Sequence, residues 1–369
     1  MDGKSYLDFC LNKVVEQRGQ DLFLKVGAVP RIRVGGQVSM IKTEPARNEQ
    51  LETILEMLLN PYQALAYQQH KSVDFAFTAE SNGRRFRGNA FFQQGQHSIV
   101  IRALWRDIPS MEELHIPAIL KQMALERSGI ILIGGTVSSG KTSTVHAIIE
   151  MMNRTSRRHI VTVEDPVEYL HSDKNCLINQ REIGQDTNDF MSALKYVVRQ
   201  SPDVVVIGEM RDAETFNFAL NAAEIGRLVM ATVHARSVVQ MFDRILGFFP
   251  IDKREQVLSQ LYPNITCFAL QKLVVGKDGK TLYPAFEILI GNYTTRQLVR
   301  EKKFDKLYQA MKNATAEGMR TLEQSLFDLW QQGSIDETEA LRNTDHAQEL
   351  RNIMHGIEID GEKGKILGT

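Results

Sequence analysis

Residues 135–142 read Gly135-Thr-Val-Ser-Ser-Gly140-Lys141-Thr142 and match the spacing GxxxxGK[ST]. An apolar run of strand length (130–133) precedes them and a helical pattern (144–149) follows. Strand, glycine loop, helix is the order that constrains this chain most. Backbone N–H groups of such a loop converge on a phosphate, and the helix N-terminus adds a favourable dipole. Gly135, Ser138, Ser139, Gly140, Lys141, Thr142 and Ser143 are therefore the expected ATP-binding residues. Lys141 is placed to reach the β- and γ-phosphate oxygens, and the Thr142 hydroxyl to ligate Mg²⁺. A plain connecting turn has no need of Lys then Thr at those offsets.

The surrounding rhythm extends the argument. Apolar runs at 159–163, 204–207 and 228–233 alternate with helical segments, which predicts a parallel sheet covered on both faces. A hairpin is expected over 273–288, turning at Lys277-Asp278-Gly279-Lys280 with the positive φ angles of a primed turn. Residues 296–354 read as mostly amphipathic helix, and 355–369 as a loose charged tail. The first hundred residues differ. Helices at 6–15 and 48–59 and strands at 21–26, 31–34, 37–40, 72–77, 85–92 and 98–103 suggest a small α+β domain. Asp107-Ile-Pro109-Ser110 breaks that pattern, so the expected domains are 1–108, 109–295 and 296–369.

Composition excludes several classes. With 369 residues, 43% apolar and 24% charged, the chain is long enough for two or three folded domains. Lys plus Arg is 44 against 45 Asp plus Glu, so no global field draws the protein to nucleic acid or anionic lipid. Cys10, Cys176 and Cys267 are far apart and form no CxxC pair, which argues against a disulfide framework or a thiolate zinc site. No run approaches the ~20 apolar residues of a membrane span. The N-terminus lacks a signal-peptide core, so a soluble cytoplasmic protein is expected, with any membrane association through a partner.

Three further segments carry candidate chemistry, each just past an apolar strand. Val204-Val-Val-Ile-Gly-Glu209-Met-Arg-Asp212 delivers a carboxylate to the edge where open α/β sheets bind ligands, so Glu209 is a candidate Mg²⁺ partner. The alternative is that Glu209 and Asp212 only complement a helix dipole. Glu164-Asp-Pro-Val-Glu168 offers two carboxylates, either of which suits activation of the attacking water. His234, in Ala-Thr-Val-His-Ala, is either a structural histidine or part of the site at that same edge.

Taken in order, GxxxxGKT, VEDPVEY, NQREIGQDT (179–187), RQSPDVVVIGEMRD (199–212) and ATVHA resemble the secretion ATPase superfamily. Within it the chain resembles the type IV pilus retraction, or twitching-motility, ATPases. QDLFLKVGAVPRIRVGGQV resembles that family's PAS-like first domain, and Thr295-Arg-Gln-Leu-Val-Arg-Glu301 its AIRNLIRE helix. The resemblance implies an α/β fold with a RecA-like P-loop core, a PAS-like α+β domain and a helical C-terminal region. It implies a cytoplasmic homo-hexamer that hydrolyses ATP with Mg²⁺, contacts an inner-membrane platform protein and withdraws pilin. Glu209 then takes the Walker B position, sharing the metal with Thr142, and Glu168 the general-base position. His234 senses the γ-phosphate, and Arg87 and Arg102 are interface arginines, with Arg106 competing for the second place because of a short insertion at 103–105.

The loop departs from the family's GPTGSGKS at Thr136, Val137 and Ser138. A serine in a glycine slot strains the loop if positive φ is needed there, yet the recombinase RecA family carries Ser-Ser at the same places. Three other readings stay open: an accessory ATPase acting beside a second retraction ATPase, an assembly or type II secretion ATPase, and a nucleic-acid translocase. Missing zinc-type Cys pairs weigh against the second, and near-zero net charge against the third.

Overall fold

The computed structural model describes residues 1–104 and 107–356. Arg106 and the tail from 357 onward lie outside the described residues. The chain forms two compact units. One comprises Met1–Ile108, Val161–Asp173 and Ile178–Gln200; the other comprises Pro109–Ile160, Lys174–Leu177 and the chain from Ser201.

The first unit begins with α1 (Gly3–Glu16), β1 (Asp21–Lys25), β2 (Arg31–Val34) and β3 (Gln37–Met40). Then come α2 (Asn48–Leu58), α3 (Pro61–His70), β4 (Ser72–Thr78), β5 (Arg85–Gln93) and β6 (Gln96–Ala103). The six strands pair antiparallel in the order β3-β2-β1-β6-β5-β4. Leu22, Leu24, Ile32, Phe75, Phe86, Ile99 and Ile101 from this sheet pack with Tyr6, Leu11, Val14, Leu51 and Ile54 from α1 and α2. Helix α3 was not anticipated from periodicity, because it buries only Gln63 and Tyr67. Its start signal is a capping box, Asn60 with Gln63, and Pro61 in the first turn.

Along the rest of the chain run α4 (Ala118–Ala124), β7 (Gly129–Gly134), α5 (Lys141–Thr155), β8 (His159–Glu164), β9 (Leu177–Glu182) and α6 (Phe190–Val197). They are followed by β10 (Val204–Ile207), α7 (Ala213–Glu224), β11 (Leu228–Val233), α8 (Val238–Gly247) and α9 (Ile251–Asn264). Next are β12 (Ile265–Val275), β13 (Leu282–Ile290) and α10 (Tyr293–Arg300). Last come α11 (Leu307–Asn313), α12 (Leu322–Gln331), α13 (Glu337–Arg342) and α14 (Ala347–Met354).

Within the second unit the strand order is β13-β12-β7-β11-β10. β7, β11 and β10 are parallel, as are β12 and β7, and the β12–β13 pair is antiparallel. Every residue of β7, β10 and β11 is buried. Successive side chains point to opposite faces, so both faces are covered, as the apolar runs predicted. This is the RecA-like α/β core; α10 to α14 make the helical C-terminal region, in which α12 to α14 pack with β12 and β13 around Val274, Ala285, Leu322, Leu326, Ile335 and Leu350.

The expected primed turn is corrected. Gly279 has φ +67, but Asp278 is not among the residues with positive φ. The Asp278 carboxylate instead accepts from Lys280 N, Thr281 N and the Thr281 hydroxyl, and the four residues 277–280 loop between Gly276 and Thr281, whose backbones pair at 2.7 Å. Local side-chain bonding from Asp replaced the backbone strain that a primed turn requires.

Candidate active site

The parallel register places three candidates at one sheet edge. Gly134 at the end of β7 pairs with Val233 at the end of β11, so the phosphate loop and His234 leave adjacent strands side by side. Ile207 pairs with Ala231, and Glu209 follows two residues later. Gly135 N donates to Val233 O at 3.2 Å, Met210 N to Thr232 O at 2.9 Å, and the Thr232 hydroxyl to Gly208 O at 2.5 Å. These bonds tie all three strand exits together.

The loop is a backbone object. A Cβ on Gly135 would stand 2.6 Å from Gln271 O, so that position admits only glycine. Gly140 caps α5 with φ +84, and a Cβ there would meet the Gln271 amide at 2.9 Å. Ser138 has φ +62, so the serine does occupy a left-handed position. Thr136, Val137 and Ser138 are exposed, while Ser139 is buried and its hydroxyl has no hydrogen-bond partner among the described residues. Lys141 Nζ donates to Gly135 O at 3.0 Å and Thr136 O at 2.7 Å. Burial pushes the Lys141 ammonium down from its usual range, and Glu209 opposes that shift. Thr142 and Ser143, half-buried, follow in the first turn of α5.

Glu209 is braced on both sides. Arg211 Nε lies 2.8 Å from its Oε2, and His234 Nε2 lies 3.1 Å from its Oε1. The Asp212 carboxylate caps α7 by accepting from Thr215 N at 2.8 Å. Among the described residues no three His, Cys, Asp or Glu side chains cluster as a metal cage. The oxygen donors available at this sheet edge, the Thr142 hydroxyl and the Glu209 carboxylate, are of the type that suits Mg²⁺ completed by phosphate oxygens and water. An orphaned buried hydroxyl and a desolvated ammonium in the same loop fit an anionic ligand.

The remaining candidates lie in the first unit. Arg87 and Arg102 are direct cross-strand partners on β5 and β6. Like charges placed opposite one another are unfavourable, and Asp21 relieves this by accepting from Arg102 Nε at 2.8 Å while also taking Arg33 at 3.0 Å. Glu164 is buried and accepts from the Thr162 hydroxyl at 2.6 Å and from Gln180 at 3.2 Å. Glu168 is half-buried.

Comparison with known proteins decides the lineage. The family described as "Type II/IV secretion system protein" matches residues 95–277. The type IV pilus ATPase PilU of Pseudomonas aeruginosa is 37% identical over 353 residues, covering 95% of this chain and 92% of that protein. A twitching motility protein of Neisseria gonorrhoeae is 38% identical over 87% of this chain and 86% of its own length. The chain belongs to the PilT/PilU family of type IV pilus ATPases. A crystal structure of the pilus retraction motor PilT with bound ADP superposes with a TM-score of 0.85 at 33% identity, covering 93% of this chain and 98% of that one.

Read as a PilT/PilU-family ATPase, the chain contains site residues that sequence reasoning missed. Gln271, buried on β12, accepts from the Thr144 hydroxyl at 2.7 Å and packs its backbone and amide beneath Gly135 and Gly140. Its signal was a lone amide inside the apolar strand 265–275. Asp21, holding two arginines, carried no local signal.

Proposed function

We propose that this protein hydrolyses ATP to ADP and phosphate as a homo-hexameric ring and uses the energy to retract type IV pili. The ring works in the cytoplasm against an inner-membrane platform protein. The observation that carries the reading is the family match along nearly the whole chain, joined to a phosphate loop, Glu209 and His234 at one sheet edge. The expected division into a PAS-like domain at 1–108, a RecA-like domain at 109–295 and a helical region at 296–369 belongs to the same reading.

In it, the loop N–H groups and Lys141 hold the phosphates, and Thr142 and Glu209 would hold Mg²⁺. Mg²⁺ held there would supply positive charge to the phosphate oxygens. Glu168 orients the attacking water and takes its proton. His234, polarised by Glu209, reports on the γ-phosphate. Arg87 and Arg102 offer positive charge to the nucleotide of a neighbouring subunit. Among the described residues no helix is long and apolar enough to cross a membrane, so attachment through the platform protein suits the chain.

A second reading, an accessory ring member beside a separate retraction ATPase, is favoured by the PilU match and by Ser138 at φ +62. Mg²⁺-dependent hydrolysis by the purified full chain, with the mass of its assembly, separates the two. A hexamer faster than Lys141→Ala, and restoring surface motility to piliated cells that lack a retraction ATPase, supports the motor. A wild type no faster than Lys141→Ala removes it in favour of the accessory role. Strong stimulation by DNA would instead point to a translocase.

A further inference from the structure

The run 179–187 stood out in the sequence without a task, and its strand β9 faces the segment that carries Glu168. Arg85, at the start of β5, reaches that segment with both arms of its guanidinium. Its Nε donates to Val167 O at 2.6 Å and its Nη2 to Glu182 Oε2 at 2.5 Å. The same Glu182 oxygen accepts from Val167 N at 3.1 Å. One ion pair thus holds both polar groups of Val167.

Gln180 does the equivalent on the other side. Its amide nitrogen donates to Tyr169 O at 2.7 Å and its oxygen accepts from His171 N at 2.8 Å. At the segment's start, Ile183 N donates to Glu164 O at 2.9 Å. Backbone atoms on both sides of Glu168 are therefore fixed by side chains from β5 and β9, while Glu168 itself is half-buried.

We propose that Arg85, Gln180 and Glu182 are positioning residues for ATP hydrolysis: they lock the backbone at Val167 and Tyr169 so that the Glu168 carboxylate is presented to water in one orientation. The inference rests on Glu168 being the general base. Two features separate a positioning clamp from a simple brace. A buried ion pair contributes little net stability compared with apolar packing, and this one leaves Glu182 Oε1 buried without a hydrogen-bond partner among the described residues. Burial raises the Glu182 carboxyl, and Arg85 and the Val167 amide oppose the rise. The arrangement favours orientation over strength, and a ~1 Å error at a reacting group costs about 10²-fold in rate.

The test is steady-state hydrolysis by the full chain, with ATP affinity read from a fluorescent ATP analogue. Arg85→Ala and Gln180→Ala are expected to lower kcat by about 10- to 100-fold while KM and affinity stay within about twofold. In a Glu168→Gln background the same changes should alter the residual rate by less than about twofold, because they act through the missing carboxylate. Unchanged kcat, a rise in KM alone, or losses that multiply with that of Glu168→Gln would each overturn the clamp. If Arg85→Ala fails to fold, Gln180→Ala and the paired replacement Arg85→Met with Glu182→Met are judged by the same criteria. Glu168→Gln at the wild-type rate would refute the base assignment and with it the clamp, whereas an inactive Glu168→Gln beside fully active clamp variants refutes the clamp alone.

Discussion

The phosphate loop is shaped by its own backbone, whereas the segment around Glu168 is shaped by side chains that reach it from other strands. In the loop, Gly135 and Gly140 are dictated by the close approach of Gln271, and Lys141 bonds to carbonyls five and six residues before it. Beside Glu168, Arg85 reaches Val167 from 82 positions away and Glu182 from 15. A site built from backbone tolerates change outside a few positions. A site built from distant side chains can be loosened without touching the residue proposed as the base.

The largest effects should fall on the two central charges and differ in kind. Lys141→Ala removes the buried ammonium proposed to receive phosphate, so both ATP binding and turnover should fall, turnover by about 10³-fold or more. Glu168→Gln should lower kcat by about 10²- to 10⁴-fold and leave ATP affinity intact. Equilibrium binding measured beside kcat checks both. If Glu168→Gln loses affinity as Lys141→Ala does, the segment is part of the binding cradle and the contrast collapses.

That contrast also explains what could be read from sequence. Gly135, Gly140, Lys141 and Thr142, at fixed offsets between an apolar strand and a helical pattern, declared the loop. Alternation put Arg87 and Arg102 on strands, and their register made them direct partners. The clamp was invisible, because no local spacing relates Arg85 to Val167 or Glu182. Nor could sequence choose between Glu164 and Glu168, and burial assigns Glu164 a bonding role with Thr162 and Gln180. The turn at Asp278 was misjudged for the opposite reason: a local competitor, the Asp carboxylate, outweighed the Asp-Gly pattern.

A smaller effect marks where the loop's own unit depends on a side chain. Glu287 on β13 is buried and accepts from Val238 N at 2.8 Å, at the first residue of the helix that follows His234. Burial, reinforced by Glu323 and opposed by the Val238 amide and Lys272, pushes its carboxyl up to about 7. The folded state therefore keeps a proton that the unfolded chain releases near 4.5. Stability from this group is complete below that value and is lost as pH rises towards 7, by about 3 kcal/mol in all. Glu287→Gln retains an acceptor for Val238 N without the charge. Its urea midpoint should change less than that of wild type between pH 5 and pH 8, and equal slopes would show that Glu287 does not titrate there.

The smallest change tests the loop as a backbone object directly. Ser138 holds φ +62 with its side chain exposed, so the hydroxyl contributes no burial to offset a left-handed backbone. That conformation costs a non-glycine residue on the order of 1 kcal/mol, and glycine removes the cost at the expense of a more disordered unfolded chain. Ser138→Gly should therefore stabilise the protein by about 0.5–1 kcal/mol, read as a higher urea midpoint. Because the loop amides already point where the left-handed turn sends them, ATP affinity should change little. A large gain in turnover on this substitution would mean that serine holds the loop back, and would move the accessory reading ahead of the motor.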